Sequence, residues 1–334
     1  METLILTTDD SSAGRLKASK AADRVIGICE RLVEGPLPSD ETAFFGSAQF
    51  KHGRYDDTRH WLANIGVSER RRLGTSRSAL CEICRDHDRI EIWTNQDPNS
   101  YLIFFQIIEA LKLHPDILDR LSLAFPSRYV GELSATEFEN LRPLVQPLTS
   151  EQLDLATRAW DAHHRRTPEA WFSLLKQEPA GVPDLHTFIR RILAELPAAT
   201  NGLSATEAQL LDLISLEGAS FSTVFSGYFQ LRPRPTLGYW EVGRRIVSLS
   251  RCDPPIIIGV DEDSFSLDLH GDKSRLDAYR ARTWSLSTIG QRILEGRDDL
   301  SEHFSVDRWL GNTHLTPSEL WRWDATRDAL VEPR

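Results

Sequence analysis

The opening twenty residues restrict the fold more than any later stretch. An apolar run, Leu4-Ile5-Leu6-Thr7-Thr8, passes through Asp9-Asp10-Ser11-Ser12-Ala13-Gly14 into the helix-forming Arg15-Leu16-Lys17-Ala18. The pattern is a strand, a tight polar turn and a helix start, with Asp10 or Ser11 as the cap and the first-turn N–H groups directed outward. In an open α/β sheet such a turn lies at the carboxyl end of its strand, where ligands bind. The turn therefore predicts a parallel sheet and a pocket together.

A second unit repeats the arrangement. Ile90-Glu91-Ile92-Trp93 ends in Thr94-Asn95-Gln96-Asp97-Pro98-Asn99, and a helix is expected over about 99–113. With further strands expected at 4–8, 24–29, 89–94 and 121–125, residues 1–132 read as a small Rossmann-like α/β domain with a parallel sheet and crossover helices, although it lacks GxGxxG. Between the second and third strands come a rigid turn, Glu34-Gly35-Pro36-Leu37-Pro38, and an Arg-rich stretch over 53–77. Within that stretch Glu69-Arg70-Arg71-Arg72 is either a phosphate-contacting patch or, more simply, a solvated helix face.

From Ser134 to Leu196 the pattern is helical throughout and forms a connector, residues 133–200. A capping box stands at Ser134 to Glu137, Thr149 or Ser150 opens a helix through Trp160 to His163, and Pro168 and Pro183 mark later starts. Asn201-Gly202 ends this region, and Ser204 to Glu207 forms another box. Helices follow over 219–230 and 239–250, separated by Arg232-Pro233-Arg234-Pro235. Next come a strand over 256–260, an acidic turn Asp261-Glu262-Asp263, a strand over 264–269 and a helix over 288–294. Three helices and a hairpin are the outline of a winged-helix-like α+β module over residues 201–296. The tail, 297–334, carries Trp309, Trp321 and Trp323 and reads as short aromatic strands packing back on the body.

Composition excludes several classes. The 334 residues, 40% hydrophobic and 26% charged, describe an ordinary folded chain. A formal net charge of −10 disfavours non-specific attachment to nucleic acid or anionic membrane, both of which depend on summed positive charge. The first residues show neither a basic n-region nor a long apolar h-region. The longest apolar stretch, Tyr101 to Ile108, is interrupted by Gln106 and is too short for a bilayer, so a cytoplasmic protein without membrane contact is expected. Four cysteines make no disulfide framework. Cys81-Glu82-Ile83-Cys84 with His87 has metal-like spacing, yet two thiols half-buried on a helix are the simpler account, and no metal site is assigned.

Several motifs in order, Asp10-Ser11-x-x-Gly14-x-Leu16, Glu34-Gly35-Pro36, Ile92-Trp93 with Asp97, Ala159-Trp160, Asn201-Gly202-Leu203-Ser204-x-Thr206-Glu207, Arg308-Trp309-Leu310-Gly311 and Trp321-Arg322-Trp323-Asp324, span nearly the whole chain. Together they resemble a bacterial family designated a domain of unknown function. The resemblance implies no reaction, ligand, cofactor or catalytic residue. The family pattern places Gly before the turn aspartate, where this chain has Asp9, and a second glycine after Arg-Trp-Leu-Gly, where this chain has Asn312.

The expected ligand-binding residues are Asp10, Ser11, Ser12, Gly14 and Asp97. Helix N-terminal amides and two hydroxyls suit a phosphate or carboxylate, while Asp9 and Asp10 would repel one unless a cation such as Mg²⁺ intervened. Asp97, in the turn after its strand, is better placed than Glu91 to face the crevice of Asp10, although both turn aspartates also serve as helix caps. No GxSxG, P-loop or HExxH is present. His163 and His164 read as a surface pair, and His314 as a group in a polar pocket or against the tail tryptophans. A DNA reader would use Arg244, Arg245 and Arg251, with Arg232 and Arg234 nearby, but the acidic hairpin turn favours protein docking over DNA. These features support a regulatory protein that recognises a small anionic ligand, a nucleotide among the forms it takes, and relays to a protein or DNA partner. The alternatives are a metal-dependent enzyme on a phosphorylated or nucleotide substrate, using Asp10, Asp97 and Glu34, and a structural scaffold.

Overall fold

The first strand, β1 (Thr3–Thr7), is buried on both faces, a condition met only by an inner strand of a sheet covered on both sides. The computed structural model describes residues 1–37, 76–231, 234–260 and 265–333 and places β1 between β2 (Arg24–Gly27) and β3 (Arg89–Trp93), both parallel to it. β4 (Leu121–Ala124) runs parallel to β3, and β5 (Val145–Pro147) closes the edge antiparallel to β4. The order β2-β1-β3-β4-β5 is that of doubly wound sheets, with the last strand reversed. The parallel α/β expectation holds for the first four strands. β5, a three-residue strand ending in proline, lies inside the stretch expected to be helical throughout, because so short a run gives no period to read.

Side-chain alternation assigns the two faces. Leu4, Leu6, Ile90, Ile92, Leu121 and Leu123 join the large core, and Ile5, Val25, Trp93 and Ala124 join a smaller one with Leu16, Val130 and Phe138. α1 (Asp10–Ala18) covers the small core, aided by the 3-10 turn Val130–Glu132. α2 (Ser76–Arg85), the apolar α3 (Pro98–Leu111) and α4 (Pro115–Leu118) lie on the chain between β2 and β4, and α3 is buried along almost its whole length. After β4 come α5 (Ala135–Asn140), α6 (Ser150–His164), α7 (Glu169–Leu175) and α8 (Leu185–Leu193), of which α6 and α8 pack on α3. The capping box at Ser134 is formed as expected, and of the two residues expected to open the next helix it is Thr149 that caps α6, in a box with Gln152.

α9 (Ala205–Ile214), α10 (Phe221–Gln230) and α11 (Tyr239–Ser250) are the three helices expected in the C-terminal half, but the hairpin is not as expected. β6 (Ile257–Ile258) pairs with β7 (Ser285–Leu286), and α12 (Leu267–Gly271) and α13 (Lys273–Ala281) intervene. The strand expected over 264–269 is helical at its described end, because the Ser266 side chain accepts the Leu269 N–H and caps α12. Alternating Ser and Leu in the sequence imitated a strand. The turn 261–263, Arg232 and the Arg-rich stretch through Glu69–Arg72 lie outside the described residues. Arg244 and Arg245, named for a DNA-reading face, both ion-pair with Glu34. After α14 (Thr288–Leu294) the tail folds into two small antiparallel hairpins, β8 (Arg308–Leu310) with β9 (Thr313–Leu315) and β10 (Arg322–Asp324) with β11 (Ala329–Val331). Among the described residues no helix is long and apolar enough to cross a membrane.

The tail is bound to the loop after β2. Gly311 donates its N–H to the Val33 carbonyl at 3.0 Å, and Asn312 Oδ1 accepts the Leu37 N–H at 2.9 Å. A Cβ on Gly35 would stand 1.7 Å from the Gly311 oxygen, so the two backbones touch where only hydrogen fits. His163 belongs to this junction and is not the surface residue expected: it is 1% exposed, its Nε2–H donates to the Leu32 carbonyl at 2.7 Å, and its own carbonyl accepts from Asn312. His164 lies instead edge-on to Trp160.

Two outcomes follow. Gly35→Ala lowers the free energy of unfolding by at least about 2 kcal/mol, because neither backbone can retreat, and an unchanged urea midpoint would show that the junction is slack. Burial pushes His163 down to about 4 from the usual 6.5. A neutral buried imidazole stabilises the fold fully above pH 6.5, and this contribution, up to about 3 kcal/mol, is lost as the pH falls towards 4. Compared with His163→Gln by urea unfolding at pH 7 and pH 4.5, the wild type loses more stability; equal losses would refute the assignment.

Candidate functional site

Because the chain leaves β1 towards one edge and β3 carries it towards the other, the carboxyl ends of these two strands diverge and leave a crevice. The turns after β1 and β3 both face it. The first is closed from within. Asp9, not Asp10 or Ser11, caps α1: its Oδ1 accepts the Ser12 N–H at 2.8 Å and also the Tyr129 hydroxyl. Its Oδ2 accepts from Asn95 Nδ2 at 2.7 Å, and the same amide reaches the Ser12 hydroxyl at 3.0 Å. Asn95 Oδ1 accepts the Val130 N–H, which joins the turns after β1, β3 and β4. Asn95 is an amide with both functions in use, the residue type such a three-way junction requires.

The predicted site residues therefore separate. Ser12 is buried and bonded to Asn95. Ser11 is exposed but lies under Gly131, where a Cβ would come within 2.6 Å of its own. Asp10 is exposed at the start of α1 and is hydrogen-bonded to the Cys29 thiol beyond β2. Burial, then Asp10 and its neighbouring carboxylates Asp9 and Glu30, push that thiol upward, and burial alone pushes Glu30 up to about 8. Gly14 is exposed with nothing within 4 Å of a built Cβ. Asp97 caps α3, accepting the Ser100 N–H at 3.1 Å and the Ser100 hydroxyl at 2.6 Å, while Thr8 donates to Ser100 Oγ at 2.9 Å.

Asp97, alone among the five, lines a pocket of about 330 Å³ in the crevice, together with Asn95, Arg128, Tyr129, Glu132 and Arg234. Arg234 reaches it from the segment between α10 and α11. Its guanidinium lies 3.6 Å above the Tyr129 ring and 3.2 Å from Glu132 Oε1. Arg128 pairs with Glu137 at 2.9 Å. Behind the pocket, Arg191 donates to the Arg234 carbonyl and Arg31 to the Thr236 carbonyl, and both guanidiniums lie within electrostatic reach of Asp97. Asn95 and Tyr129 give no signal in the sequence, because their roles depend on strands that only the fold brings together. Arg234 is visible there as a basic residue, but for a DNA-reading role.

The other chemical candidates are already satisfied by protein partners. Glu34, the third carboxylate of the enzyme reading, is held away from the pocket by Arg244 at 3.1 Å and Arg245 at 2.5 Å; burial opposes its ionisation, but the two cations outweigh that and lower its pKa. Glu91 accepts from the Trp93 indole and pairs with Arg89. Cys81 donates to the Ala110 carbonyl, burial raises Cys84, and the His87 ring bonds the Ile83 carbonyl, so these three do not assemble as metal ligands. Among the described residues one acidic and histidine group, Asp298, Glu302 and His303, brings three ligand atoms within 4.8 Å of one another; Arg292 also contacts Asp298, and His303 already lies 3.1 Å from it. A second pocket, about 390 Å³, runs beside β5 and is lined by Phe125, Leu141, Leu144 and Pro183. His314 stacks on Trp309, ring centroids 4.1 Å apart, and bonds Asp307.

Gly14 tests whether the start of α1 touches a ligand. Ala at this exposed helical position raises stability by about 0.5–1 kcal/mol, and in calorimetry it leaves any nucleotide binding unchanged if the pocket lies at Asp97 and Arg234. A binding loss from Gly14→Ala would return the site to the first turn. No family model and no curated protein matches the chain.

Proposed function

We propose that this chain is a ligand-binding regulatory protein that takes a small anionic, nucleotide-like molecule in the crevice at the carboxyl edge of its sheet. The observation that carries the reading is Arg234. It belongs to the C-terminal half, yet it forms a wall of the pocket and stacks on Tyr129 of the sheet half. An anion there exchanges for Glu132 as the partner of Arg234, and the Tyr129 ring with its guanidinium cover offers a flat surface to a base. A ligand so placed touches both halves of the chain, the geometry needed to convert occupancy into a change felt by a protein or DNA partner. The anchor for negative charge is thus the group of arginines around Asp97; the first-turn amides beside Asp10 and Ser11 serve a secondary role. The three helices α9, α10 and α11 serve as the docking face, whose partner is protein before DNA, given the ion pairs of Arg244 and Arg245.

Titration calorimetry with ATP, ADP and inorganic phosphate, each with and without Mg²⁺, gives saturable heat for at least one nucleotide. Arg234→Ala weakens it roughly 10- to 100-fold, the effect of losing one charge-assisted contact. Tyr129→Leu weakens nucleotides but not phosphate. Silence from all three probes, or unchanged heats in Arg234→Ala, would reject the reading.

A further inference from the structure

Beyond the pocket, a buried carboxylic acid is joined to the Arg234 segment by hydroxyl groups. Glu195 follows α8 and is 6% exposed; its Oε1 accepts from the Thr206 hydroxyl at 2.7 Å, and its Oε2 has no hydrogen-bond partner. The Thr206 hydroxyl lies 3.2 Å from the Tyr228 hydroxyl, which accepts the Leu237 N–H at 3.3 Å. Thr206 and Tyr228 are almost fully buried. Thr206 has a single hydroxyl hydrogen. While Glu195 is ionised that hydrogen goes to the carboxylate, so Tyr228 donates to Thr206 and every link points towards Glu195. The far end is the 234–238 turn, which Arg191 and Arg31 hold at the Arg234 and Thr236 carbonyls.

The charges around Glu195 come from every element packed on it. Arg245 of α11 and Arg308 of β8 direct their side-chain ion pairs to Glu207 of α9, and Arg308 meets Glu195 only at its backbone carbonyl, 3.5 Å away. Arg191 of α8 acts on it through space, and Tyr228 of α10 through Thr206. Glu207, with burial opposing but Arg308 and Arg245 prevailing, is held down to about 2, whereas burial lifts Glu195 to about 7. Two buried glutamates in one cluster are thus driven apart, one permanently charged and the other able to exchange its proton near neutrality.

We propose that Glu195 is a buried proton-binding switch whose charge state is passed through Thr206 and Tyr228 to the 234–238 turn, and so to Arg234 at the pocket. An ionised carboxylate is the stronger acceptor, and it polarises each hydroxyl in turn. The Leu237 N–H is held more firmly when Glu195 is charged.

Amide hydrogen exchange of the full chain, corrected for the intrinsic pH dependence of exchange, tests this together with carbon-13 titration of the glutamate carboxyls. The protection of Leu237 rises at least about threefold from pH 6 to pH 8, in step with titration of Glu195. Glu195→Gln flattens the Leu237 profile. Tyr228→Phe also flattens it but leaves the carboxyl titration near neutrality, which separates transmission from proton binding and decides the matter even if Glu195→Gln fails to fold. A Leu237 profile that persists in Tyr228→Phe, or a Glu195 carboxyl titrating in the ordinary range near 4.5, would overturn the switch. The outcome is independent of nucleotide binding, because no ligand is present in these measurements.

Discussion

Five charged side chains, all but Arg244 largely buried, determine how the two halves of this protein meet. Glu34, from the loop after β2, is clasped by Arg244 and Arg245 of α11; Arg245 continues to Glu207 of α9, and Glu207 also receives Arg308 of β8. Removing ions from water is costly, and the cluster is tolerable only because each carboxylate meets two guanidiniums in hydrogen-bonding geometry. Loss of Glu207 would leave the Arg308 guanidinium largely buried without its counterion, which costs about 3–5 kcal/mol in comparable interiors. The cluster therefore contributes specificity of assembly as well as stability: only the register that brings all five together avoids that cost.

The pocket depends on this arrangement. Arg31, three residues before Glu34, bonds Glu241 of α11 and the Thr236 carbonyl, so the same docking that seats Glu34 also places the 234–238 turn. Arg234 lies over Tyr129 with its carbonyl held by Arg191 and that of Thr236 by Arg31. On the sheet side, Asn95 and Asp9 fix the turn after β1 against the 3-10 turn after β4. The turns of the sheet and the segment that carries Arg234 thus line one crevice.

Much of the frame can be read from the chain. The strand–turn–helix units at β1 and β3, the boxes at Ser134 and Ser204, the helix from Tyr239 to Ser250 and the paired aromatic strands of the tail all follow from local periodicity and capping chemistry. The readings that failed are those in which long-range partners override local pattern. Asp9, Asp10 and Ser11 are all acceptable caps by type, and the choice of Asp9 is made by Tyr129 and Asn95, distant in sequence. His163 looks like half of a polar pair beside two arginines, yet a carbonyl after β2 draws it inside. Arg244 and Arg245 suggest a basic surface until Glu34, some 210 residues away, is placed against them. Glu34-Gly35, Ser204-x-Thr206-Glu207 and Arg308-Trp309-Leu310-Gly311, far apart in sequence, lie together at this junction, a shared interior that spacing alone cannot reveal.

The contact between Gly35 and Gly311 bears on how the molecule is made. Synthesis proceeds from the N-terminus, and the loop that leaves β2 gains its partners in stages: His163 at Leu32, then Arg244 and Arg245 at Glu34, and after them Gly311 and Asn312 at Val33 and Leu37. Each of these contacts closes a long stretch of chain, so the junction belongs to the non-local, slowly formed part of the fold and not to its local helices. In synthesis the seam between Gly35 and Gly311 is the last of them to become available.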